Sequence, residues 1–569
     1  MKKNLLAASL ALALGSLSGA ATAALTVQDT VHIGQINVLP YYSVQDSYNT
    51  LITITNTDTR MLNGAEVGNG KVVKIRFRAA EWSDDALDFQ IFLSPADVWT
   101  GAFGIVDGKL VLKTSDKSCT LPANLDGQEF TTIRVEGGDV NRLKEGYVEI
   151  ITMADIPKKL NGEDPADSSI RDNPLWTAVK HKDGVATCGT TVSGLLENST
   201  RDRITPLIDV TTANLTEAEA AAASAQGSWL VPATPSLMSS ATVIAVQDSK
   251  AFTVPGVAIR GDNTDFAQVQ YFRQSNTSSN FGTNDDARLL TADRLFWPEQ
   301  VAGTVVAGTA TAVADLPQLG ANYPVFQFDL PDLSTPFDGT SDAVEWRDMI
   351  AVQLQKGSVA TDYVIASSIQ ASTDVVLSQP LRRYFYDYAV APAGTNFNRT
   401  IRGVNYLVSG EHQTPYAELT LSNKVEVGAP TFWDREEQTF VSEDDIVVSP
   451  QEPGESAKYY LEGEVSVVSI KKRGAADAPT EAIGARLTDV DWSFSQPYTA
   501  GWAVLSTTTV EDSGTALKWI ANTGNLNLAG NSLGYQLPVV GFTAINIFNS
   551  GAGAAGTNYG QVLPLRTLD

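Results

Sequence analysis

The chain has 569 residues, with 65 acidic against 40 basic side chains and a formal net charge of −25 at pH 7. So acidic a surface repels nucleic-acid phosphates and argues against a DNA or RNA partner, while it favours solubility and attracts divalent cations. With three histidines and two cysteines, little material is left for histidine-based catalysis or a cysteine-rich metal centre.

In chain order, Lys2 and Lys3 precede a short apolar run at 5–14 and the small-residue site Ala21-Thr22-Ala23. This pattern predicts a signal peptide over 1–23, cleaved before Ala24, with an apolar core too short to anchor in a bilayer. Strand-like text follows. Segments 51–57 (LITITNT), 71–78 (KVVKIRFR) and 146–151 (GYVEII) alternate apolar and polar residues, with Val73, Ile75 and Phe77 on one face. Period two, β-branched residues and turn pairs such as Asn-Gly and Asp-Gly predict antiparallel β-sandwich. Two helices are expected. One starts at the capping box of 216–219 and stops at Gly227; the other runs from Ser341 to Lys356 and is closed by Gly357. Further strands are expected at 241–246, 363–366, 417–421, 465–470 and 537–542. The fold class expected is mainly β: several antiparallel, immunoglobulin-like β-sandwiches with a few short helices. The expected domains are 24–207, a β-rich segment with both helices at 208–390, and 391–569.

Cys119 and Cys188 both fall in the first unit. In an oxidising compartment their even number predicts one disulfide, which on the loop-entropy model stabilises that unit by about 4 kcal/mol.

The first unit carries a resemblance. Residues 39–46 (LPYYSVQD) are followed by the LITITNT and KVVKIRFR strands and then by 88–100 (DFQIFLSPADVWT). Similar wording returns at 371–374, 382–384, 433–437 and 537–542. This order resembles an exported proteobacterial cell-surface protein family of uncharacterised function. The resemblance implies a β-rich protein at the surface of a Gram-negative bacterium or outside it, and it supplies no catalytic residues. Acidity with only five Met and three His is also similar to the composition of bacterial surface-layer proteins.

Two short patterns mimic enzymes. Gly530 to Gly534 spells G-x-S-x-G, but the elbow needs a following helix and an activating histidine, and the last histidine, His412, lies upstream. Gly551 to Gly556 spells G-x-G-x-x-G, with too few residues after it for a βαβ unit and its acidic partner. His32, His181 and His412 have no paired spacing. A glycosidase needs only two carboxylates, but no pair is singled out by sequence. The expectation is a protein that is not an enzyme. Trp82, Trp99, Trp433 and Trp502, in or beside strands, are the material for a sugar-binding platform or, more commonly, for core packing.

Calcium is the expected cofactor, as a structural ion, because carboxylates are hard oxygen ligands. Candidate loops are 163–167, Asp262 with Asp265, Asp285 with Asp286, and Asp444 with Asp445; none has EF-hand spacing. The expected function is a secreted structural protein that self-assembles on the cell surface, a surface-layer subunit with cation-bridged contacts between β-domains. Expected partners are its own copies, with outer-membrane lipopolysaccharide or an outer-membrane protein as the attachment. The alternatives are an extracellular filament subunit joined by strand exchange and a secreted adhesin or carbohydrate-binding protein.

Overall fold

The computed structural model describes residues 25–28, 32–121, most of 125–188, 229–271, 331–340 and 343–382. Beyond these it describes 424–437, 439, 459–472, 481–494, 498–509, 536–551 and 557–568, with short strands at Phe296–Pro298, Arg399–Ile401, Val404–Val408 and Ile446–Ser449. The chain is mainly β and its sheets are antiparallel, with one parallel pair among the described residues, Val465–Lys472 beside Asp489–Phe494.

Four sheets carry the architecture. The first has seven strands, in the order Thr26–Gln28, Val257–Arg260, Ile36–Ser43, Glu145–Ile156, Gly70–Ala79, Asp85–Leu93, Cys119–Leu121. The second runs Lys109–Lys113, Val98–Val106, Tyr48–Asn56, Leu237–Ala245, Lys250–Pro255, with Ile33–Gly34 paired to Leu237–Ala245. Their facing sides pack because alternate positions are apolar. Along Tyr48–Asn56 every second residue is buried, as period-two side-chain alternation requires. Tyr42, Phe77, Phe103 and Phe130 meet edge-on in this core, with ring centroids 4.8 to 5.7 Å apart for Phe77 and its partners.

The third sheet orders Thr431–Asp434, Ala500–Ser506, Ser358–Val364 and Arg566–Thr567. The fourth orders Ile446–Ser449, Asp489–Phe494, Val465–Lys472, Ala371–Ser378, Val540–Asn549 and Thr557–Pro564. These two also pack face to face, with Thr361 and Thr543 hydroxyls 2.5 Å apart between them. One cluster of buried apolar side chains runs through both sandwiches, and Tyr41 meets Phe542 where they join.

Most of the expected strands are present within longer ones; segment 417–421 lies outside the described residues, as does the helix expected from 216. The second helix is Ala343–Leu354, shorter than expected because Gln355–Lys356 pair with Leu537–Pro538 as strand. Described strands of 208–390 contribute to both sandwiches, while Phe296–Pro298 pairs with Val404–Val408 in a separate three-stranded sheet. Leu237–Ala245, Lys250–Pro255 and Val257–Arg260 complete the first, whereas Ser358–Val364 and Ala371–Ser378 lie in the second. The expected boundary at 207 is therefore crossed by hydrogen-bonded pairing, which period-two text alone cannot assign to partners.

Cys119 and Cys188 form a disulfide, Cα to Cα 5.4 Å. It ties the edge strand of the first sheet to the chain just beyond the helix Pro174–Val179. Leu175, Trp176 and Val179 of that helix form a second apolar cluster with Val72, Phe92 and Leu121. No helix among the described residues is long and apolar enough to cross a membrane.

Candidate assembly surface and inter-sandwich seam

The two outer faces of the first sandwich have opposite chemistry. On the first sheet, Lys74, Arg76 and Arg78 alternate with the core-facing Val73, Ile75 and Phe77, so they project from the outer side. Asp85, Asp88 and Glu149 from the flanking strands stand on the same side. All six are buried. Lys74 pairs with Asp88, and Arg76 lies 2.7 Å from Asp85, while Arg78 lies 3.5 Å from both Asp85 and Glu149. Three cations thus face three carboxylates, the balance a buried charge cluster requires. The cover is the chain's own later part: Arg76 donates to the Pro331 carbonyl at 3.1 Å and Tyr147 to the Pro380 carbonyl at 3.2 Å.

On the second sheet the outer side is open and carries no charge. Registered rows run across it: Met238, Thr55 and Val98; then Ser240, Thr53 and Thr100; then Thr242, Leu51 and Ala102. Thr253 stands opposite Thr242 and Pro255 opposite Ser240. Leu51, Val98 and Met238 are 44%, 42% and 39% exposed. Charges return only at the rim, with Lys109 and Lys113 on the outermost strand. With strands about 4.8 Å apart and about 3.4 Å per residue, the face spans roughly 600 Å².

Where the sandwiches meet, the segment 481–488 is a strap hydrogen-bonded on both sides. From the first sandwich, the Glu145 carboxylate accepts the Arg486 and Leu487 N–H groups at 2.9 and 3.1 Å. The Tyr48 hydroxyl donates to the Ala482 carbonyl and Lys250 to the Glu481 carbonyl. From the second, Asp374 accepts the Ile483 N–H at 2.7 Å, and Lys471 pairs with Glu481 at 3.1 Å and with Asp491. Burial pushes Glu145 up to about 7 despite its two N–H donors. Burial also raises Asp374, and with the Asp374 charge it pushes Asp489 up to about 7.

Asp262 and Asp265 bond within their own loop. Asp262 Oδ1 accepts from the Thr264 N–H and hydroxyl and from the Asp265 N–H, while Asp265 Oδ2 accepts the Asp262 N–H. These are the Asx-type bonds that suit such residues to turns. The Thr264 bonds hold Asp262 low, and burial raises Asp265. Asp285, Asp286, Asp444 and Asp445 lie outside the described residues, as do His412, the G-x-S-x-G segment 530–534 and residues 552–556. Among the described residues no group of three His, Cys, Asp or Glu is placed to hold a metal. His32 faces the Gly256 carbonyl at 3.0 Å and His181 faces Asp97 at 3.3 Å.

Trp99 is core and Trp82 packs against it. Trp433 and Trp502 are cross-strand partners whose rings stack at 4.0 Å and 7°. One face of each indole is therefore closed by the other. Sequence reasoning missed both the charge-free face and the strap. The face could have been found by noting that strands 51–55, 98–106 and 237–245 contain no charged residue at all. No protein-family model, curated protein or solved structure matches this chain.

Proposed function

We propose that the protein is an exported structural subunit that assembles with its own copies at a bacterial cell surface, as a surface-layer subunit. The observation that carries this reading is the charge-free outer face of the second sheet. Copies with a net charge of −25 repel one another. They can meet with least electrostatic and desolvation cost where no carboxylate intervenes, and interface cores are depleted in charge for that reason. An area of roughly 600 Å² approaches the about 800 Å² per partner typical of stable interfaces. Divalent cations, calcium foremost, would then bridge acidic surfaces of neighbouring copies away from that contact.

The test is negative-stain microscopy and sedimentation of the processed protein with and without calcium, beside Leu51→Glu and Thr53→Lys. Ordered arrays for the wild type and none for either variant are expected. A wild type that stays monomeric in every condition defeats the proposal.

A further inference from the structure

Inside the seam, one hydroxyl lies between two acids. Ser469 Oγ is 2.8 Å from Asp374 Oδ1 and 2.9 Å from Asp489 Oδ1. A serine hydroxyl has a single hydrogen. If it donates to one carboxylate, the other presents lone pair to lone pair, unless that second acid carries a proton and donates to Oγ. Asp374 is fully buried and its other oxygen already accepts the Ile483 N–H. The consistent arrangement is a chain in which the half-buried Asp489 donates to Ser469, Ser469 donates to Asp374, and Asp374 accepts from the strap. We propose that Asp374, Ser469 and Asp489 share one retained proton, and that this proton makes the strap 481–488 a pH-responsive joint between the two sandwiches, closed in mild acid and loosened by alkali.

The surrounding charges favour retention. The cations that face the triad are already matched: Lys471 by Asp491 and Glu481, Arg486 by Glu481 and Asp46. Lys250 points to the Glu481 carbonyl, and burial lowers its own pKa. From the first sandwich the strap meets Glu145, with the Tyr48 hydroxyl and Asp248 close by. A second negative charge on the triad would thus enter an already acidic seam. Two acids on one hydroxyl titrate as a unit, so the proton belongs to the group.

The sign is fixed. An acid that holds its proton more tightly when closed than when open favours the closed state below the open-state pKa. That preference is lost as pH rises through the closed-state value. Asp489, ordinarily near 3.8, sits at about 7.

The experiment is hydrogen exchange of the 481–488 peptide in the full chain, corrected for intrinsic rates. Opening at about pH 8.5 should exceed that at about pH 5.5 by at least roughly thirtyfold, the linkage for the triad's one proton, with Glu145 adding to it. In Asp489→Asn the amide donates to Ser469 at either pH, so the triad's roughly thirtyfold share should be lost, leaving only the part carried by Glu145. Equal wild-type exchange at both pH values overturns the proposal, as does a full wild-type response in the variant. Should the variant fail to fold, infrared difference spectra of Glu145→Gln, which removes the other buried acid at about 7, decide the matter. A buried protonated-carboxyl band present in mild acid and lost in alkali supports the shared proton; its absence in acid overturns it.

Discussion

The outer faces of the first sandwich invert the usual distribution of charge. The face that carries Lys74, Arg76, Arg78, Asp85, Asp88 and Glu149 is covered by the chain's own C-terminal half, whereas the face that meets solvent bears Thr, Ser, Leu and Val. Buried charges fix orientation because each must find a particular counter-charge. An uncharged flat face accepts any complementary flat face. Intramolecular docking is thus specified by polarity, and the contact between copies proposed above falls on the surface that lacks it.

The comparison can be tested most forcefully at the buried face. Arg76→Met takes from Asp85 its nearest cation and from Glu149 one of its two, and should cost about 3–5 kcal/mol in urea unfolding; a loss under about 1 kcal/mol would mean the cluster is not coupled to folding. Next, Cys119→Ser with Cys188→Ser removes the closure that holds the helix Pro174–Val179 over the apolar end of that face. The expected loss is about 2–4 kcal/mol by calorimetry. Third, the seam should weaken with pH. Glu145 rises from 4.5 to about 7 on folding, so its contribution is complete below about pH 4.5 and falls by about 2 kcal/mol between pH 5 and 8. Unfolding midpoints across that range read it directly, and a flat profile would remove Glu145 from the account. Last, Leu51→Glu on the open face should change monomer stability by no more than about 0.5 kcal/mol, with its effect confined to assembly. A large destabilisation there would show that the face is core-coupled.

How much of this was legible depended on range. The strand at 71–78 was readable, and so was its core side of Val73, Ile75 and Phe77, because alternation is local. Burial of its other side was not. What Lys74, Arg76 and Arg78 meet depends on register, which places Asp85, Asp88 and Glu149 beside them. The disulfide followed from an even cysteine count and compartment. The seam was out of reach: Ser469 lies 95 residues from Asp374 in sequence, and only the fourth sheet brings them together. Asp262 and Asp265 were readable as a polar loop but not as residues that bond to each other.

The order in which the strands arrive bears on manufacture. Thr26 is hydrogen-bonded to Arg260, 234 positions later, and Ser358–Val364 finds its final neighbour in Arg566–Thr567. A chain made amino-terminus first exposes unfinished sheet margins until those late segments emerge. Closing such distant pairs is slow, and open margins are prone to aggregation in the interim. Escort by a holding chaperone until the last strand has been made would serve this topology better than spontaneous collapse.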